Sequence, residues 1–339
     1  MPKKSNLFKN AKKRIQRYLK RRPHRSFRFT RRRDYARSLK LPKYWAFTTY
    51  VQKTLWKNKK IFISLAMFYA VLTVLLAGIA SQDTYTALSD TLKSTSGDAF
   101  SGIFGSISGA GLLLASMMTG GLSTNLTDVQ QIYAILTFLL TWLTTVWVLR
   151  NLLAGNKIRL RDGIYSSGSP IVPTFLIMLV LLVQMLPFAI AMLGYGSAST
   201  TGLLSGGVEA MLFWIAAGLL TMTSLYLITG TIFALVIVTL PGMYPMQAIK
   251  ISGDMVIGRR MRILLRLVWM LLIEVIVWVI VMVPIILFIN WLATVWTVLG
   301  NFPIIPGLLL IMSSFTVVWT SSYIYLLYRK VVEDEVEPA

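Results

Sequence analysis

Six stretches of the 339-residue chain, 61–80, 131–149, 171–193, 210–239, 267–289 and 304–328, are mostly apolar and bounded by charge or by Gly, Pro or Asn. A helix needs about 20 apolar residues to cross the hydrocarbon of a bilayer, so each qualifies as a span. In hydrocarbon every backbone polar group must be bonded within the chain, which leaves a helix bundle as the fold for segments of this kind. The sequence therefore predicts an all-α integral membrane protein with six transmembrane helices. Composition agrees, since 55% of residues are hydrophobic, 14% are charged and the mean hydropathy is +0.66.

The net charge of +21 suggests a nucleic-acid binder until it is located. Residues 1–60 hold 22 of the 34 basic residues and one acid, Asp34, whereas twelve basic residues face twelve acids from residue 61 onward. The chain reads as a basic arm (1–60), followed by a membrane domain (61–328) and an acidic tail (329–339) that together are electrically balanced. Basic residues mark the cytoplasmic side of a span. They recur at Arg150, Lys157, Arg159 and Arg161, at Lys250, Arg259, Arg260, Arg262 and Arg266, and at Arg329 and Lys330. The loops between carry almost none, so both termini are expected in the cytoplasm. The first span has no cleavage pattern and reads as a retained signal anchor. A seventh apolar stretch, residues 100–119, would turn the Arg150–Arg161 cluster outward if it crossed. It is expected on the outer side, either re-entrant or lying flat on the interface, with Gly102, Ser106 and Ala110 as a small-residue face.

In the arm, Leu7, Phe8, Ala11, Ile15, Tyr18 and Leu19 fall at helical spacing among lysines and arginines, which predicts a basic amphipathic helix over 5–20 that Pro23 ends. Arg21, Arg22, Arg25, Arg28, Arg31, Arg32, Arg33 and Arg37 follow, interleaved with Phe27, Phe29 and Tyr35. Such a segment suits anionic lipid headgroups or, as the alternative, RNA on which the aromatics would stack. Next to a span, lipid is the more economical partner. Pro42 opens a second amphipathic helix with Tyr44, Phe47, Val51 and Leu55 on one stripe and Trp45 and Trp56 as interface anchors.

Residue types narrow the chemistry. Gly105-Ser106-Ile107-Ser108-Gly109 superficially resembles the GxSG of rhomboid proteases, yet a serine dyad needs a histidine in another span and His24 sits in the arm. There is no cysteine and no phosphate-cradling P-loop. The carboxylates expected on the cytoplasmic side before the tail are Asp34, Asp162 and Asp254, too sparse for a metal-dependent lipid transferase. No catalytic residue, cofactor or metal is expected. Glu333, Asp334, Glu335 and Glu337 read as a solvated end able to contact the basic arm.

Glu274 is ionisable and lies within a span, and an intramembrane carboxylate is a functional-site candidate. Counting about 1.5 Å per residue, Thr144, Thr145, Thr229, Thr231, Ser321 and Ser322 fall at a similar depth. Together they would form a polar pocket open to the cytoplasm, or Glu274 would simply bond one hydroxyl and hold helices together. Gln184 reads as a helix–helix hydrogen bond.

The link between the fourth and fifth spans runs from Leu240-Pro241-Gly242 through Ala248 and Ser252, four apart, to Gly258-Arg259. It resembles the connector of the bacterial multi-pass membrane domain found beside some glycerophosphodiester phosphodiesterases and in related uncharacterised membrane proteins. The resemblance covers about residues 210–290 and implies a membrane domain. This chain lacks the acidic residue expected after the proline, and no phosphodiesterase domain is appended, so no hydrolytic activity carries over. The favoured expectation is a non-enzymatic multi-pass protein of a bacterial-type cell membrane, with an interaction, assembly or envelope-maintenance role and possible protein partners in the membrane. The alternatives are a transporter or permease subunit built around Glu274, and a ribosome- or RNA-linked membrane factor acting through the arm.

Overall fold

A computed structural model describes residues 41–78, 127–201, 206–296 and 304–336. The helix expected over 5–20, the arginines Arg21 to Arg37, the 100–119 segment and the last three tail residues lie outside the described residues. The described parts are helical without strands: α1 (Tyr44–Lys57), α2 (Lys59–Ala77), α3 (Asp128–Leu153), α4 (Leu160–Ser167), α5 (Ile171–Gln184), α6 (Leu186–Thr200), α7 (Val208–Thr231), α8 (Ala234–Ile237), α9 (Pro245–Val256), α10 (Arg260–Val295) and α11 (Ile304–Val336).

Five of these are long and apolar enough to cross a membrane: α2, α3, α7 continued through α8, α10 and α11. A sixth candidate is the pair α4 and α5, which meet at 72°. The third span is thus not the continuous helix expected over 171–193. It breaks at Met185 and resumes as α6. Pro187 has no N–H for the carbonyl of Val183, and its ring crowds that carbonyl. The fourth span is also interrupted, at Ile232–Phe233. The last helix continues eight residues past 328, so the tail begins as helix.

Local chemistry sets several of the ends. Thr127 and Gln130 form a capping box that starts α3: the Thr127 N–H donates to Gln130 Oε1 at 2.9 Å, and the Gln130 N–H donates to Thr127 Oγ1 at 3.4 Å. Gly78, at φ +81°, ends α2 in the left-handed region that a side chain would strain.

α2 packs against α3, and α11 lies against both. α9 lies against α7 and α8, α6 against α7, and α1 against α10 and α11. One core gathers Phe47 and Val51 of α1, Leu65 and Tyr69 of α2, residues 142–149 of α3, the α8 turn and Tyr323–Leu327 of α11. A smaller one joins Trp278, Met282 and Ile286 of α10 to Ile305 and Leu309 of α11. Lipid tails are as apolar as these side chains, so burial in a membrane yields mainly packing contacts and adds little hydrophobic drive. The polar contacts between helices therefore carry much of the information about which helix meets which.

Candidate functional site

Glu274 is half-buried on α10, and its Oε1 accepts a hydrogen bond from Thr320 Oγ1 on α11. One turn further, Trp278 Nε1 donates to Thr316 Oγ1 at 2.8 Å, and Thr316 passes its own proton to the carbonyl of Met312 at 3.0 Å. The two rungs repeat every four residues in opposite directions along antiparallel helices, so the face of α11 that meets α10 runs through 312, 316 and 320. Thr320 was not among the hydroxyls picked by depth. Ser321 and Ser322, its neighbours, point into the bundle, are fully buried and bond back to their own helix, at 2.7 Å to the Val317 carbonyl and 2.6 Å to that of Val318.

The other candidate hydroxyls divide among separate contacts. Thr144 joins three helices: its Oγ1 lies 2.7 Å from the Tyr69 hydroxyl of α2 and 2.8 Å from Ser167 Oγ of α4. Gly163 fits this junction because a Cβ there would sit 3.0 Å from Val148 Cγ2 and 3.3 Å from Thr144 Cγ2. Thr145 and Thr229 donate to the carbonyls of Thr141 and Leu225. Thr231 donates to Leu227 and accepts from Gln184 Nε2 at 2.9 Å, tying the third span to the fourth. These bonds pin α2 to α3 and α4, α5 to α7 and α10 to α11 as separate pairs.

The break at Met185 has its own partner. Ser224 Oγ of α7, 1% exposed, accepts from the Phe188 N–H at 3.3 Å and donates to the Gln184 carbonyl at 2.5 Å. In an unbroken helix those two backbone groups would bond each other. The serine stands in their place, supplying one donor and one acceptor where hydrocarbon supplies neither.

At the end of the bundle that carries the basic residues, arginines act as cross-braces. Arg150 of α3 reaches the carbonyl of Thr239 at 2.9 Å and also its hydroxyl. Arg266 of α10, 6% exposed, donates to the carbonyl of Pro42 and lies 4.5 Å from the Tyr44 ring. Arg260 stacks 3.9 Å over Tyr226, beside Gly230. Arg259 meets Asp334 at 3.0 Å, with the two side chains 4% and 7% exposed. The tail was read as a solvated end; Asp334 is instead buried against the corner between α9 and α10. Arg329 and Lys330 both pair with Glu333, at 3.0 and 2.6 Å.

Two shorter helices flank this end. α1 buries Phe47 and Val51 completely, with the Phe47 ring edge-on to Tyr323 at 4.9 Å, and leaves Trp45 and Trp56 each 63% exposed. α9 buries the small residues Ala248 and Ser252, and Ser252 Oγ donates to the Gly230 carbonyl at 2.8 Å. Tyr244 and Met246 remain 70% and 77% exposed. Among the described residues no three His, Cys, Asp or Glu side chains gather into a metal-binding group. No family model matches the sequence, and no curated protein or solved structure matches it.

Proposed function

We propose that this chain is a non-enzymatic multi-pass protein of a bacterial-type cytoplasmic membrane, with both termini in the cytoplasm, its basic arm on anionic lipid, and a role in interaction, assembly or envelope maintenance. The observation that carries this reading is the use made of the polar side chains. Glu274 with Thr320, Thr144 with Tyr69 and Ser167, Gln184 with Thr231, and Ser224 with the α5–α6 break each join neighbouring helices. This is the pattern of a scaffold. The amphipathic helices α1 and α9, each with one face locked into the bundle and aromatic or sulfur side chains on the other, support a platform at the inner interface. The connector's resemblance to the phosphodiesterase-linked membrane domain is consistent with such a role.

In cells, a photoreactive phenylalanine analogue in place of Phe27 or Phe29 tests the arm. Adducts to anionic phospholipid or to discrete membrane proteins are expected, and nuclease-sensitive RNA adducts as the main product overturn the reading in favour of the ribosome-linked alternative. Because the chain has no cysteine, Asn156→Cys and Ser197→Cys report sidedness without background: an impermeant thiol reagent should reach only the second from outside. A specific observation favours a second reading, the transporter subunit. A span broken at Met185, stapled to its neighbour, is a feature that transporters use at their binding sites. Substrate-dependent uptake into proteoliposomes, lost in Glu274→Gln, would select it.

A further inference from the structure

Where α1 turns into α2, Asn58 makes the corner: its N–H donates to the carbonyl of Leu55 at 3.1 Å, and its own carbonyl accepts from Ile61 at 3.0 Å. The turn sets the last residues of α1 beside the first turn of α2 and leaves an open groove lined by Trp56, Lys59, Lys60, Ile63 and Ser64. The Lys59 ammonium stands 5.4 Å from the Trp56 ring, and Ser64 Oγ is turned onto the Lys60 carbonyl at 2.6 Å. No carboxylate lines the groove, and the sequence has no acid between Asp34 and Asp83. The groove is cationic at its floor and indole-walled on one side.

Its upper edge continues into something longer. Ile63, Met67, Val71 and Leu75 are 45%, 41%, 54% and 74% exposed. Residues four apart stack on one face of a helix, so these four make a single apolar stripe rising from the groove. The stripe extends about 18 Å at 1.5 Å per residue, close to the roughly 15 Å depth of one hydrocarbon leaflet. A soluble anion would use only the floor, and a neutral lipid only the stripe. We propose that this elbow binds one anionic phospholipid, with its phosphate held by Lys59 and Lys60 beside the Trp56 indole and an acyl chain along Ile63, Met67, Val71 and Leu75. Lysine and tryptophan are common anchors at any membrane interface. Here the turn converges them on one concave spot in line with an exposed track, which selects a headgroup charge at a particular place. The proposal rests on the reading of the chain as membrane-embedded with α1 at the inner interface.

The test measures lipid preference locally, because the basic arm would draw anionic lipid to the protein as a whole. Full-length protein carrying a bimane label at Met67→Cys is reconstituted in phosphatidylcholine bilayers, and quenching by acyl-brominated phosphatidylglycerol is compared with quenching by acyl-brominated phosphatidylcholine. A label at Leu271→Cys, a 55% exposed position on α10 at a similar distance from the basic end of the bundle, supplies the reference for general enrichment in the same leaflet. Two lysines acting on one phosphate, at about 1 kcal/mol each, should give about a thirtyfold greater preference for phosphatidylglycerol at 67 than at 271. Lys59→Gln with Lys60→Gln should bring the two positions level, and Lys59→Arg with Lys60→Arg should preserve the difference. Equal preference at both positions, or a preference that survives the glutamine pair, overturns the site. Absence of quenching by both brominated lipids at 67 and at 271 would instead overturn the membrane reading beneath it.

Discussion

Asp334→Ala should be among the more damaging single changes far from the middle of the spans. The carboxylate and the Arg259 guanidinium lie 3.0 Å apart with 7% and 4% of their side chains exposed, so neither charge is well hydrated. Two unit charges about 4 Å apart attract by about 4 kcal/mol at an effective dielectric of 20, and the desolvation of the two groups is of similar size, so the intact pair contributes little net stability. Removing Asp334 is different, because the Arg259 guanidinium then stays buried without its carboxylate. Breaking a buried pair costs about 3–5 kcal/mol, while replacing both members with apolar side chains is neutral or stabilising. Asp334→Ala should therefore lower the thermal midpoint of the detergent-solubilised full chain, followed by circular dichroism, by on the order of 10 °C, and Arg259→Met should lower it too. Arg259→Met combined with Asp334→Leu should recover most of the loss. Added sodium chloride should leave the gap between wild type and single variants nearly unchanged, since buried pairs are poorly screened. Glu333 is the internal control: its partners Arg329 and Lys330 are 41% and 34% exposed, and such surface pairs are worth about 0–1 kcal/mol, so Glu333→Gln should shift the midpoint little. Additive losses in the double variant, or a single Asp334→Ala cost no larger than that of Glu333→Gln, would refute the argument.

Two further substitutions probe the polar contacts inside the spans. Ser224→Ala should cost about 1–3 kcal/mol, because the Phe188 N–H and the Gln184 carbonyl lose their shared partner in hydrocarbon, whereas Thr223→Ala, which removes a hydroxyl bonded only to its own helix at Leu219, should cost much less; equal costs in the same melts would show that the serine is not bridging the break. Glu274→Gln should be tolerated, Glu274→Leu and Thr320→Val should each lose about 1 kcal/mol without adding in the double variant, and additive losses would mean that the α10–α11 hydrogen bond contributes nothing.

Five of the six expected spans were legible because a twenty-residue apolar window is visible in any chain whatever its neighbours do. Continuity was harder to read. Pro187 and Pro284 both sit in apolar segments, yet α5 and α6 separate around the first while α10 runs unbroken through the second. A proline only frees a carbonyl; whether the helix then parts depends on what else is there to bond the backbone. At 184–188 that partner is Ser224, forty positions away in sequence. Nothing local distinguishes the two prolines.

The candidate site was legible in its acid and not in its hydroxyl, for a related reason. In a water-soluble helix the apolar stripe shows which face is buried, so depth and direction can be read together. In a span, the lipid side and the bundle side are equally apolar, and the sequence reports depth alone. Thr320, Ser321 and Ser322 lie within two residues of one another at the depth of Glu274, but a step of 100° per residue sends the first toward α10 and leaves the other two fully buried and bonded to their own helix. The basic residues misled in the opposite way. Arg150, Arg259 and Arg266 were counted as markers of the membrane boundary, a role that needs only their charge, and the structure also uses their geometry to brace α3, α11 and α1. An arginine at the edge of a span has both options, because its long stem lets the guanidinium return to a carbonyl or carboxylate in the bundle. Which one it takes is decided by the acceptor. For Arg259 that acceptor is Asp334, which lies beyond the apolar stretch 304–328 and became available only because α11 continues as helix past the end of that stretch.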